Sequence, residues 1–378
     1  TPNQMLRSLV GSEMCIRDRP YGVSSNNPWG SIMKGLKLLI LSILTAMTGI
    51  VAAQSDYEAP RTEWGQPDLQ GVWNFSSDVP MQRPQRYGSQ AFLTDEEIQE
   101  RRDQIMAQRR AADEAAARLN IDPDAPEETS NPGGYNDFWF ETAGLGDVVR
   151  TSHIVYPEDG RQPSYVEGAN IQFGGLGPDV AGERPVRYVV GGIDKNGPED
   201  RGLSERCIVG FNSGPPFVPS LYNNNMQIIQ NKETAVIFTE MIHDARIVPL
   251  VDKPALSDDI RLWSGDSRGY WDGDPLVVKT KNFNGYRQSF GAAGNNYNAS
   301  LTEKFTRVSY DQVDYEFTID DPSTFTDKIT AVVPMIKMAG QIYEYACHEG
   351  NYGMINTLRG ARVEDELIAE GVDIGERD

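Results

Sequence analysis

Val313, Tyr315, Phe317 and Ile319 alternate one for one with Asp314, Glu316 and Thr318. Successive side chains of an extended strand point to opposite faces, so this segment has one dry face and one wet face. A helix would scatter the four apolar residues around its circumference. The alternation therefore makes an antiparallel sheet the frame into which the rest of the C-terminal half must fit.

The neighbouring segments keep the same rhythm. Arg268 to Trp271 and Leu276 to Lys281 flank the tight turn Asp272-Gly273-Asp274, and Leu301 to Tyr310 leads through Asp311-Gln312 into the alternating strand. Lys328 to Met335 and Gln341 to Cys347 continue the series. Successive hairpins make a meander, and a meander of this length closes on itself or folds over. The expected fold is mainly β, an antiparallel meander closing as a lipocalin-like (calycin-type) barrel with one long peripheral helix. A β-sandwich is the alternative. Leu69 to Phe75 reads as a first strand, and its Gly71-Val72-Trp73 resembles the opening signature of lipocalin-like barrels, where the Trp closes the barrel floor. No internal repeat at a fixed period is visible, which argues against a propeller.

The peripheral helix announces itself by a capping box, Thr94-Asp95-Glu96-Glu97, followed by Ala, Glu, Gln and Arg without Gly or Pro to about Leu119. Its apolar stripe is thin, which places it on the surface. Asp122 to Gly134, with three prolines and many acids, reads as a linker. Arg150 to Val155, Val186 to Val190 and Met226 to Ile229 are short strand candidates, Gly174 to Arg206 a loop-like lid or flap, Thr234 to Val248 the longest strand-like run, and Glu364 to Glu370 a short terminal helix.

The N-terminal segments do not belong to this fold. Met33 to Ala53 pairs two lysines, Lys34 and Lys37, with the apolar run Leu38 to Val51 and a small-residue Val51-Ala52-Ala53 site. As a helix that run spans about 21 Å, short of the roughly 30 Å hydrocarbon core, so 33–53 is expected to be a signal peptide rather than an anchor. Leu9 to Arg19 resembles translated adapter sequence, and 1–32 is read as a non-native leader. Residues 54–134 form an extended lead-in, first strand, surface helix and linker, and 135–378 the β-rich domain, with 54–378 one structural unit. The formal net charge is −20, and the first 53 residues carry five of the basic residues and two of the acidic ones. A surface so acidic excludes nucleic acid as a partner, and no second apolar run approaches membrane length, so no stable membrane insertion is expected after signal cleavage. Periplasm or secretion is the expected location. With Cys15 in the leader, only Cys207 and Cys347 remain, and an oxidising compartment invites a disulfide between them.

Three histidines are available for chemistry. His153 has no acidic neighbour and is read as structural. His243 lies in Glu240-Met241-Ile242-His243-Asp244-Ala245-Arg246, read as strand, and His348 at the end of a strand beside Glu349. Imidazole titrates near neutrality, and a nearby carboxylate fixes its tautomer and stabilises its cation. His243 and His348, with Glu240, Asp244 and Glu349 as acid partners, are thus the candidate proton-transfer groups. On a regular strand His243 and Asp244 point to opposite faces unless a bulge intervenes. Arg246 and Arg268 are candidate anion anchors, and Asp266, Trp271, Tyr222, Asn224 and Tyr343 candidate ligand contacts. Gly265-Asp266-Ser267 resembles an esterase nucleophile block but precedes a hairpin, so it is read as a turn. Gly174-Gly175-Leu176-Gly177 lacks the Lys and helix of a phosphate loop. No metal-ligand spacing and no dinucleotide fingerprint occurs, so neither metal nor organic cofactor is assigned.

Five segments, Pro67 to Trp73, Tyr222 to Asn225, Glu240 to Leu250, Gly265 to Asp274 and Tyr343 to Tyr352, resemble a large family of uncharacterised exported bacterial proteins. The likeness runs from about Pro67 to Arg362. It implies export and a single domain, and it brings no catalytic role with it. The expected function is that of an exported protein with a polar and aromatic pocket for a small organic molecule or carbohydrate. It is read as a cofactor-independent hydrolase, lyase or isomerase using His/carboxylate chemistry. A non-catalytic periplasmic carrier or sensor is the alternative.

Overall fold

The computed structural model describes residues 57–121, 145–169, 194–291 and 293–373. The expected leader and signal peptide, the linker candidate Asp122 to Gly134, the strand candidate Val186 to Val190 and the lid candidate up to residue 193 lie outside them. Tyr57–Asp378 is one unit, separate from Thr1–Asp56.

Among the described residues ten strands carry the fold. They are β1 (Gly71–Asn74), β2 (Ile154–Tyr156), β3 (Asn225–Gln230), β4 (Thr234–Thr239), β5 (Ala245–Pro249), β6 (Asp266–Trp271), β7 (Leu276–Lys281), β8 (Ser300–Arg307), β9 (Gln312–Asp320) and β10 (Ile329–Lys337). Nine form one antiparallel sheet in the order β5-β4-β3-β1-β10-β9-β8-β7-β6, with β2 attached to β10. The sheet curls into a nearly closed barrel, as the hairpin rhythm predicts. Chain order around the wall is that of an up-and-down meander, with β1 filling the gap between β10 and β3.

The strand count has a geometric consequence. Eight antiparallel pairings in a row leave the first and ninth strands running the same way, so β5 and β6 meet as parallel neighbours. Parallel neighbours cannot share a tight hairpin and need a long connection, here Leu250 to Gly265. No ladder joins β5 to β6 among the described residues; side chains close the seam instead. Gly269 on β6 makes this possible, because a Cβ there would sit 2.7 Å from Leu250 Cδ2 and 2.9 Å from Val248 Cγ1.

The interior is filled. Val313, Tyr315, Phe317 and Ile319 all face inward from β9, matched by Ile329, Ala331, Val333 and Met335 on β10. Trp73 is fully buried at the end where β1 begins, its indole N–H donating to the Leu69 carbonyl at 2.9 Å. Arg307 lies 5.7 Å over its ring and donates to the Asp68 carbonyl at 2.6 Å. This end is a closed floor with short hairpins. The opposite end, where β1 and β4 finish and β3 and β5 start, carries the long connections.

Helix α1 (Asp95–Ile121) opens with the expected capping box: the Thr94 amide donates to Glu97 Oε2 at 2.8 Å, and the Glu97 amide to Thr94 Oγ1 at 3.3 Å. Three expectations need correction. Thr234 to Val248 is two strands, not one, broken by a tight turn with Ile242 and His243 at φ 61° and 45°. Gln341 to Cys347 has no strand partner; it is an extended strap that leaves the floor beside Val72 and returns to the mouth. The terminal helix α2 spans Tyr352–Ala369 rather than Glu364 to Glu370, capped by the Asn351 side chain accepting from the Met354 amide.

His153 is structural. Its Nδ1 lies 2.7 Å from the Val332 carbonyl and its Nε2 2.8 Å from Ser77 Oγ. A carbonyl only accepts, so Nδ1 carries the proton, Ser77 donates to Nε2, and the ring is neutral. Burial pushes its pKa down to about 4 against the opposing Val332 hydrogen bond. A folded-state pKa below the unfolded value means a contribution fully present above about pH 6.5 and lost as pH falls toward 4, roughly 3 kcal/mol in all. Urea midpoints of wild type and His153→Gln are therefore expected to converge by about that amount between pH 7 and pH 4. A constant difference across that range would refute the assignment.

Candidate functional site

Two polar arrangements stand out, one inside the barrel and one at its mouth. Inside, Glu303 projects from β8 with no solvent exposure (0 %). Arg246 reaches it from β5, Nη1 to Oε2 at 2.5 Å and Nη2 to Oε1 at 2.9 Å, a bidentate pair. The Tyr315 hydroxyl donates to the same carboxylate at 2.8 Å and accepts from the Phe217 amide at 3.1 Å. Burial alone would depress the Arg246 pKa, but Glu303 holds it above its ordinary value; burial and Glu303 push Tyr315 well up. Both charges are thus matched, and Glu303 occupies the guanidinium that the sequence offered as an anion anchor.

At the mouth lies a cavity of about 1250 Å³. Its walls come from the segments around Ser77 to Gln82, Ser204 to Tyr222, Met241-Ile242, Arg287 to Gly291 and the Tyr345 to Cys347 strap. Phe211, Pro215, Pro216, Val218, Tyr222 and Phe290 supply an aromatic and aliphatic surface. The Cys207–Cys347 disulfide, formed as expected, pins the strap to one wall. Asn351 adds a second tie, its Nδ2 donating to the Glu205 carbonyl at 2.8 Å.

One wall bears polar groups without protein partners. Arg287 is 7 % exposed, and its guanidinium makes no hydrogen bond or ion pair with a described residue; Nη1 is buried without a partner. Burial lowers its pKa to about 10, Asp244 opposing and Arg246 adding to the shift, so it is cationic at neutral pH. Ser289, two residues on, also lines the cavity with its Oγ buried and unpartnered.

The sequence-predicted residues fall around these arrangements unevenly. Neither histidine lines the cavity or bonds a carboxylate. His243 is exposed, with Nδ1 3.2 Å from the Tyr345 carbonyl, and His348 and Glu349 are exposed beside the disulfide. Glu240 accepts from Asn225 Nδ2 at 2.7 Å, and Asp244 from Ser264 Oγ at 3.1 Å. The tight turn thus supplies the break that strand geometry required, yet brings no His/carboxylate pair together. Tyr222 lines the cavity, whereas Asn224 is fully buried and holds the Ser220 backbone through both its amide atoms. Tyr343 is exposed on the strap, and Trp271 ends β6 on the floor side. Arg268 is engaged by Asp266 and the Ser267 and Pro254 carbonyls, latching the long connection. Asp266 to Gly269 is strand, not turn; the turn is at Gly265, where φ is +71° and a Cβ would meet the Lys281 carbonyl at 2.5 Å. Ser267 pairs with Thr280 Oγ1 at 2.8 Å, with no imidazole near.

Arg287 and Ser289 were passed over in the sequence. A signal exists: from Asn282 to Thr302 Arg287 is the only charged residue. A lone charge in a neutral connection between two buried strands has no evident partner. Among the described residues no cluster of His, Cys, Asp and Glu could hold a metal ion, and no helix is long and apolar enough to cross a membrane. No protein-family model matches the chain, and no curated protein matches it.

Proposed function

We propose that this protein is an exported binding protein that holds a small organic molecule with an apolar or aromatic body in the mouth cavity. The cavity itself carries the reading: its volume suits a molecule of drug-like size or somewhat larger, and its walls combine an aromatic and aliphatic surface with polar side chains such as Gln82, Gln288 and Asn351, the mix that holds and orients a small molecule. The barrel below is lined by a continuous buried apolar cluster, and the cavity opens above it at the mouth. Export is supported by the signal-peptide pattern and by the disulfide. Proton transfer by His243 or His348 is less favoured, because each imidazole lacks a carboxylate partner and lies outside the cavity wall.

Nile red, a neutral apolar dye whose emission shifts on leaving water, tests this. The protein is expected to bind it, and Ala346→Trp, a substitution at an exposed strap position on the cavity rim, is expected to weaken binding about tenfold by filling the opening. His243→Ala with His348→Ala should leave binding unchanged. Absence of dye binding, or indifference to Ala346→Trp, would overturn the proposal.

A further inference from the structure

Taking the mouth cavity as a ligand site, we infer that its ligand is an organic anion, a carboxylate or similarly charged head held by Arg287 and Ser289 with an apolar body against the aromatic wall. Three observations converge on this. The guanidinium of Arg287 is more than nine-tenths buried, lines the cavity, and bonds no described residue. Burying an unmatched charge is costly, and a buried ion lacking its counter-ion destabilises a fold unless something outside the chain supplies the partner. The contrast with Arg246 is direct, since that arginine, also inward-facing, is matched bidentately by Glu303.

The surroundings decide the sign and the shape of the missing partner. Asp244 attracts Arg287 from outside ion-pair range and is engaged by Ser264, while Arg246 repels it. Among the described acidic side chains Glu205 alone lines the cavity, and it pairs with Arg201 at 3.0 Å. The Arg287 side of the wall is therefore positive in a chain of net charge −20. Ser289 Oγ, buried and unpartnered two residues away, adds a hydroxyl donor to the fork of the guanidinium. A guanidinium fork and a hydroxyl on one cavity wall suit the paired oxygens of a carboxylate. Phe290 and the Pro215-Pro216 wall offer an apolar surface to the body of the ligand.

Displacement of Nile red by phenylacetate and by its uncharged isostere phenylacetamide tests the inference. Wild-type protein is expected to prefer phenylacetate by about 30-fold, the worth of one charge-assisted hydrogen-bonded contact. The preference should fall to about unity in Arg287→Met and by a few-fold in Ser289→Ala. Arg287→Met without ligand should melt no lower than wild type, because no protein contact is lost; Arg287→Gln, which keeps donors and drops the charge, repeats the test should the methionine variant fail to fold. A preference of about one in wild type, a preference that survives Arg287→Met and Arg287→Gln, or displacement by neither compound would overturn the inference. If Nile red binds in those cases the cavity reading stands and only the anion is lost; if Nile red does not bind at all, both fall.

Discussion

Glu303→Leu is expected to lower the stability of this protein by about 3–5 kcal/mol, the penalty for stripping a buried ion of its partner. Among the described residues only Glu303 forms an ion pair with Arg246: Asp244 acts on it from outside ion-pair range and is engaged by Ser264, the guanidinium lies 5.7 Å over the Phe217 ring, Arg287 is of like charge, and the Tyr315 hydroxyl would lose its acceptor in the same step. For a unit of about this size the melting temperature should drop by roughly 5–8 °C. Arg246→Met combined with Glu303→Leu removes both charges, and buried pairs replaced by apolar residues of similar volume often cost nothing. The double variant should recover most of the loss, read by urea denaturation of the two singles and the double. A double variant as unstable as the worse single would mean that the pair does more than neutralise itself.

Replacing both Cys207 and Cys347 by Ser is the second large effect. The bond closes a loop of 140 residues, and loop-entropy arithmetic gives as much as about 5 kcal/mol at that length. Thermal melts of wild type with and without reductant should differ by several degrees, while the serine variant should be indifferent to reductant and match the reduced protein. The strap that it releases carries Tyr345 and Ala346 in the cavity wall, so Nile red binding should weaken in parallel. Equal melting in both conditions would show that the strap is held by other contacts.

How much of this was legible in the residues depends on whether the physics is local. The β9 alternation, the α1 capping box and the Trp73 strand are stated within a few consecutive positions, and each appears in the fold where the sequence pattern puts it. The disulfide is legible by elimination, because only two cysteines follow the leader. The β4–β5 turn was not legible: Glu240 to Asp244 contains no Gly or Pro, and the backbone reverses through positive φ at Ile242, where a β-branched residue is disfavoured. The strap reads as a strand because its residues suit one, yet no neighbour offers it an edge. Helix α2 is interrupted by Gly353 and Gly360, which dilute its helical signal. The partners within the two polar arrangements are hidden for a different reason. Glu303, Arg246, Arg287 and Ser289 are distant in sequence or ordinary in type, and their meaning lies in which charges are matched across the barrel. That matching is a property of the closed wall, and no spacing along the chain encodes it.

An odd number of staves leaves a joint. Among the described residues β5 and β6 run the same way without a ladder and are held by Val248 and Leu250 against Gly269, so along that line the wall meets through side chains and not main-chain hydrogen bonds. Each raw border also shields the other, so neither is free to recruit a strand from a second molecule. Eight ladders thus circle the wall, and the ninth junction is made by side chains.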